Sequence, residues 1–225
     1  MISEQLLERL RRVDPAALAD ADKSIRVMAP ELRPVRPGLT LLGAAYTVRC
    51  SNDFFAIIAA LEEAQAGEVL VVDTQGSTVA VVGELFSLEA ARLGLGGIVI
   101  DGACRDVSTI RSLELPVYAR TTTPVSGTVN ALGERQVAVA CGGVTVNPGD
   151  VVFGDDDGII VLSEAEAAAL LPAAEAIKET ENAVIERIGQ GRTLLSLLNY
   201  AEHRDALSSG NRSSTLQFNL DGEET

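Results

Sequence analysis

The chain has 225 residues, 47% hydrophobic and 22% charged, a balance that supports one sizeable core and excludes a mainly disordered chain. Eighteen Lys and Arg against 32 Asp and Glu leave a net charge of −14, so a nucleic-acid backbone would bind against the overall field and is disfavoured as a direct partner. The longest apolar run, Phe54 to Leu61, falls far short of the roughly 20 residues of a membrane helix, and the opening MISEQLLERLRR is too polar for a signal peptide, so a cytoplasmic protein with no membrane partner is expected.

Along the chain, a single domain is predicted over residues 1–207, with N-terminal helices in 1–40, a core in 41–162 and C-terminal helices in 163–207. Leu6, Leu7 and Leu10 give helical spacing to the stretch from Ser3 to about Arg12, and a second short helix is expected from Pro15 to Asp20. From Leu41 onward, β-rich and helical runs alternate: LLGAAYTV, FFAIIAALEEAQAG, EVLVVD, GELFSLEAARLG and GIVID. That order predicts an α/β fold with a βαβαβ core. Past Pro116 the helices stop, and PVYAR, QVAVA, GVTV, DVVFG and GIIVL follow with Gly and Pro between them, which predicts an antiparallel or mixed β portion. Ser163 and Glu166 form a capping-box pattern that opens a helix, with Pro172 expected to break or restart it before its end near Gly189 to Gly191. Residues 208–225 have little to bury and are expected to form a flexible tail or an inter-subunit arm.

Single-residue counts remove whole reaction classes. One histidine, His203, lies in a polar stretch, so histidine-rich metal sites are impossible and a surface position is expected for it. Cys50, Cys104 and Cys141 are odd in number and far apart, which predicts buried thiols rather than disulfides or a zinc site. The only lysines, Lys23 and Lys178, stand beside acidic residues and not in the apolar setting that activates a Schiff-base lysine. Gly94-Leu95-Gly96-Gly97 precedes a strand instead of following one, so it reads as a helix-to-strand turn and no nucleotide cofactor is expected. The run Asp155-Asp156-Asp157-Gly158 lies between two strands and reads as a hairpin turn.

Two segments remain as carriers of chemistry. Gly83 is followed directly by a helix, so the backbone N–H groups of Leu85 and Phe86 are placed to bind a small anion such as a carboxylate. Arg105 and Asp106 follow the strand GIVID, and both segments can therefore meet at one end of a parallel sheet. There Arg105 offers a planar fork for a carboxylate or enolate oxygen, and Asp106 a hard oxygen suited to Mg²⁺. A plainer alternative is a surface ion pair between the two that caps the next helix.

The motifs GAAYTV, AGEVLVVD, GELFSLEAARLGLGGIVIDGACRD, PVYAR, TPVSG and CGGVTVNPGDVVFGDDDGIIVL, in that order from Leu41 to Leu162, resemble the family of the regulator of ribonuclease E activity A and the class II 4-hydroxy-4-methyl-2-oxoglutarate / 4-carboxy-4-hydroxy-2-oxoadipate aldolases. The resemblance implies a swivelling β/β/α domain, assembled as a homotrimer or hexamer. Glu84, Arg105 and Asp106 fit the spacing of the aldolase branch, in which the residue matching Asp106 binds a divalent metal and that matching Arg105 holds the keto oxygen. The amides matching Leu85 and Phe86 hold the pyruvyl carboxylate, and the residue matching Glu84 contacts metal-bound water. Glu84 stands where that branch commonly has Asp, and Val107-Ser108-Thr109 where an acidic residue is common. A glutamate from the adjacent subunit is also implied, matched by Glu179 or its rival Glu181.

The implied activity is Mg²⁺- or Mn²⁺-dependent cleavage of a 4-hydroxy-2-oxo acid of those two types to pyruvate and a second keto acid. Since no lysine is placed as an electron sink, the enolate falls to a Lewis acid and Arg105, and oxaloacetate decarboxylation should accompany aldol cleavage. The alternative from a different class is a non-catalytic regulator whose acidic surface docks on a basic ribonuclease or helicase.

Overall fold

The computed structural model describes residues 2–220. Two short helices open it, α1 (Glu4–Leu10) and α2 (Pro15–Ala21), started by Ser3 and Asp14, whose side chains accept from the N–H groups of Leu6 and Ala17. Two-residue strands β1 (Arg26–Val27) and β2 (Arg33–Pro34) then interrupt the region expected to be helical. The alternating portion is β3 (Leu41–Arg49), α3 (Phe55–Glu63), β4 (Val69–Asp73), β5 (Ala80–Val82), α4 (Glu84–Arg92), β6 (Gly97–Cys104), α5 (Val107–Ile110) and β7 (Val117–Thr122). Short strands follow: β8 (Glu134–Arg135), β9 (Val139–Cys141), β10 (Val144–Val146), β11 (Val151–Asp155) and β12 (Gly158–Leu162). The C-terminal part is α6 (Glu164–Gly189), a 3₁₀ turn (Leu194–Leu197) and α7 (Tyr200–Ser208).

The large sheet runs β1-β12-β11-β3-β4-β6-β7-β2, with β5 also on β6 and β8 on β3. Pairings among β3, β4, β6 and β7 are parallel, as is β5 with β6, and those of β1, β12, β11, β2 and β8 are antiparallel. This is the mixed α/β architecture that the alternation of runs predicts. All five residues of β4 are buried because the sheet is covered on both faces. Leu70 and Val72 pack with Ile57, Ala60 and Ala90 under α3 and α4, and Val69 and Val71 face Met28, Val139 and Val146, where the β9–β10 hairpin closes the other side. A third cluster joins Leu10 and Leu18 to Phe153, Ile160 and Leu171, clamping α1, α2 and α6 onto β11 and β12.

Three expectations are altered or refined. Helix α6 runs unbroken through Pro172, which sits on the exposed side while Leu171 and Ala174 are buried against the body, so packing outweighs the one lost hydrogen bond. In the β11–β12 hairpin Asp155 pairs with Gly158, which makes Asp156-Asp157 the two-residue loop, and the Asp156 carboxylate accepts from Gly38 N–H at 2.8 Å. The segment expected as a tail or arm folds back on its own chain as far as Leu220: Leu198 bridges Phe218, Gln217 N–H donates to Asn199 Oδ1 at 2.8 Å, and His203 Nδ1 lies 2.8 Å from Ser214 Oγ. The remainder of that segment, 221–225, lies outside the described residues.

The three thiols are free and buried. Burial pushes Cys50 up to about 12 and Cys104 up to about 11, far from the range of a nucleophile at neutral pH. Lys178 is bonded to the Asp14 carboxylate, which raises its pKa, the opposite of what Schiff-base chemistry requires. Among the described residues, no helix is long and apolar enough to cross a membrane.

Candidate active site

The two segments singled out in the sequence meet. Strands β5 and β6 are parallel neighbours, with Ala80 opposite Ala103 and Val82 opposite Cys104, so both leave the sheet at the same end. Gly83 turns the first into α4, and Arg105-Asp106 turns the second into α5. Arg105 N–H donates to the Val82 carbonyl at 3.0 Å and fixes one turn against the other. Asp106 has φ 55°, a left-handed conformation that Asp tolerates better than most residues, and the chain reverses there before α5 begins.

The Asp106 carboxylate faces α4. Its Oδ2 accepts from Glu84 N–H at 3.2 Å and lies 3.3 Å from Arg105 Nε. The ion pair of the plainer reading therefore exists, but the helix it caps is the one before it: Asp106 stands at the start of α5 and makes no side-chain hydrogen bond to it. Gly83 makes this closeness possible, since a Cβ there would lie 2.5 Å from Asp106 Oδ2 and 3.0 Å and 3.1 Å from Arg105 Cγ and Nε. With Glu84 N–H taken, the N–H groups of Leu85 and Phe86 are the next two in the first turn of α4, where helix geometry provides no carbonyl partner.

Glu84 is tied from the other side as well, because its Oε2 accepts from Thr109 Oγ1 at 2.8 Å. Thr109 belongs to α5, and its hydroxyl orients Glu84 from there. Glu84, Leu85, Phe86, Arg105 and Asp106 line one cavity of about 210 Å³. Phe54 and Ile58 of the α3 start form its far wall with Phe86, the two aromatic rings meeting edge to face at 5.5 Å between centroids. A second cavity, of about 290 Å³, lies on the other side of Arg105 and Asp106 against Val107, Thr122 and Thr123.

Sequence reasoning missed Thr109, Phe54, Ile58 and Ser126, which also lines the first cavity. Ser126 is brought there by a loop that pairs with β5, Ala80 N–H donating to the Val125 carbonyl at 2.8 Å. The loop is anchored by Asp53, only 2% exposed, whose Oδ2 accepts from Thr128 Oγ1 at 2.7 Å and from Asn130 N–H at 2.6 Å. Burial pushes this carboxyl up, but those donors and the N–H groups of Phe55 and Ala131 outweigh it and hold it below its usual value. No local pattern around residue 53 signals a partner 75 residues away.

Glu179 and Glu181 lie on α6, which packs on α1, α2 and β12, and within the chain neither lines this cavity. Glu181 reaches Lys178 at 3.5 Å. Among the described residues no group of three or more His, Cys, Asp or Glu side chains comes together to hold a metal ion. What the site offers is two hard-oxygen carboxylates, Asp106 and Glu84. That set fits a cation such as Mg²⁺ that keeps most of its waters and takes one or two carboxylates, and it does not fit a softer metal.

Comparison with known proteins bears on the family and the fold. A family model described as RraA-like (Aldolase/RraA) matches residues 15–161. The chain is 31% identical, over 80% of its length and 87% of the other, to a protein of Halalkalibacterium halodurans named "Putative 4-hydroxy-4-methyl-2-oxoglutarate aldolase". Among solved structures, an uncharacterized protein from Pseudomonas syringae pv. tomato superposes with a TM-score of 0.75 at 28% identity, covering 87% of this chain and 97% of that one. The RNA-processing inhibitor RraA from Thermus thermophilis gives 0.62 at 29% identity, covering 66% and 91%.

Proposed function

Because the chain belongs to the RraA-like family, we propose that it is a lyase, dependent on Mg²⁺ or Mn²⁺, that cleaves a 4-hydroxy-2-oxo acid of the 4-hydroxy-4-methyl-2-oxoglutarate or 4-carboxy-4-hydroxy-2-oxoadipate type to pyruvate and a second keto acid and also decarboxylates oxaloacetate. The observation that carries this reading is the convergence of Arg105, Asp106 and Glu84 with the first turn of α4 on one cavity.

In this reading the substrate carboxylate sits on the N–H groups of Leu85 and Phe86, where the positive end of α4 favours an anion. The keto oxygen lies against the Arg105 guanidinium, whose fixed fork holds it as negative charge develops there during carbon–carbon cleavage. Asp106 would hold the metal, with Glu84 joined to it through water, and the bound cation supplies Lewis-acid stabilisation of the enolate. Glu84, oriented by Thr109, is the group placed to take the C4 hydroxyl proton through an intervening water. No part of this needs a nucleotide or a Schiff-base lysine. We further assign a cytoplasmic homotrimer or hexamer, in which Glu179 or Glu181 would come from a neighbouring subunit.

The test is direct: purified protein with Mg²⁺ or Mn²⁺ should release pyruvate from oxaloacetate faster than the metal alone, and equal rates would overturn the proposal. A regulatory reading ranks second, favoured by the net charge of −14 and by the likeness to an RNA-processing inhibitor. It takes first place if the protein is inactive on all keto acids and captures a ribonuclease or helicase in a salt-sensitive way.

A further inference from the structure

Three cavities join end to end along α5. The first, between the β5 and β6 turns, shares Arg105 and Asp106 with the second, and the second shares Val107 and Thr122 with a third of about 190 Å³. That third cavity is lined by Arg33, Arg111 and Arg120 and by no acidic side chain, a concentration of positive charge in a chain of net charge −14. Strand pairing and the helix bring the three together: Arg33 on β2 stands opposite Ala119 on β7, Arg120 follows on β7, and Arg111 caps the end of α5. Two of them are held from behind. Arg120 donates from Nε to the Asp101 carboxylate, and its Nη1 lies 3.6 Å from Glu31. Arg111 donates from Nε to the Val35 carbonyl at 3.1 Å, a bond that leaves both its terminal nitrogens for a ligand.

Guanidinium groups fixed in this way bind a carboxylate with little further ordering of their side chains. Five residues at about 1.5 Å rise place Arg111 about 7.5 Å along the helix from Asp106, a gap that an extended arginine side chain and a short acid arm close from its two ends. We infer that the cavity of Arg33, Arg111 and Arg120 is the subsite for a carboxylate on an arm beyond C4 of the substrate. This rests on the lyase reading and chooses between its two acid types. The 4-carboxy-4-hydroxy-2-oxoadipate type carries such an arm, a methylene ending in a carboxylate, where the 4-hydroxy-4-methyl-2-oxoglutarate type has only a methyl group. The reaction is then a retro-aldol step. The C4 hydroxyl gives up its proton, its oxygen becomes the keto oxygen of the second product, and the C3–C4 bond breaks. The electron pair passes to C3 as the pyruvate enolate, which a proton at C3 converts to pyruvate. The second product keeps the C4 carboxylate and the arm and is oxaloacetate, with no net oxidation.

The experiment compares kcat/KM, read as initial pyruvate release, for the oxoadipate, the methyl oxoglutarate and oxaloacetate in the wild type, Arg111→Gln and Arg33→Gln. Both arginines are exposed, so either change leaves the core untouched. The wild type should favour the oxoadipate over the methyl acid by about tenfold or more, and equal rates or the reverse preference overturn the inference. In each variant the ratio of oxoadipate to oxaloacetate turnover should fall about tenfold, mainly through KM, because the lost contact is made equally by the bound acid and by its transition state. An unchanged ratio overturns the inference as well, and an unchanged ratio with altered sedimentation assigns the arginines to a carboxylate of a neighbouring subunit instead. If oxaloacetate is decarboxylated and the selectivity is missing, the inference alone has failed; if none of the three acids releases pyruvate above the metal-only rate, the lyase reading has failed with it.

Discussion

The antiparallel flank of the central sheet and the ends of β5 and β6 spend their polar groups differently. On the antiparallel side, β1, β12 and β11 with α1, α2 and α6, charges are matched within the chain. Arg26 joins Asp150 at 2.7 Å and Glu166 at 3.3 Å, Arg9 holds Glu175 at 2.6 Å, and Ser163 and Glu166 close a capping box. On the parallel side, the ends of β5 and β6 hold an arginine and two carboxylates in an open cavity beside a helix start with free N–H groups. The contrast follows from connectivity. Hairpins and caps satisfy the backbone locally, whereas parallel strands discharge into turns at one end, and ligands bind where those turns meet.

That division can be broken by substitution. Asp106→Ala should abolish metal-dependent pyruvate release in a folded protein, because on the proposed reading it removes the one direct carboxylate ligand; near-normal turnover in a folded variant would return Asp106 to a purely structural role. Leu18→Ala, in the fully buried cluster of the antiparallel side, should do the reverse, costing about 2–5 kcal/mol in denaturant unfolding with kcat/KM unchanged below the transition. Arg105→Lys keeps the charge but loses the fork, and a rate loss of about 10²–10³, or about 2.7–4 kcal/mol, is expected with metal affinity retained.

The smallest effect concerns Asp53, which belongs to the site only through the loop it anchors. Its carboxyl is held below the ordinary value of 3.8, so it stabilises the fold at pH values above that, and the contribution is lost as pH falls through the native-state value. Urea midpoints taken between pH 5 and pH 2 should fall more steeply for the wild type than for Asp53→Asn. Parallel slopes would mean that the loop anchor does not depend on charge.

Much of this contrast is legible in the sequence, and the reason differs by element. Strands β3, β4 and β6 announce themselves because burial demands nearly continuous apolar runs, and α4 because Gly83 is followed directly by a run of helical length and spacing. Strand β5 and helix α5, three and four residues long, do not, since elements that short form only where neighbours hold them. Pro172 misleads for the same reason in reverse: a local breaker is overruled by the packing of Leu171 and Ala174. At the site, Glu84, Arg105 and Asp106 could be named from order and residue type. The hydroxyl of Thr109 and the wall of Phe54 and Ile58 could not, because folding alone decides which distant residues share a cavity.

Glu84 is held twice, its backbone by Asp106 and its side chain by Thr109, and both partners belong to the stretch that follows β6. The start of α4 and the short α5 are thereby riveted into one mechanical body. A ligand arriving at either would be felt at the other as a shared displacement rather than as a single rotamer change. In solution the Glu84 amide, hidden from exchange while that rivet holds, is the proton whose deuterium uptake reports whether the body has come apart.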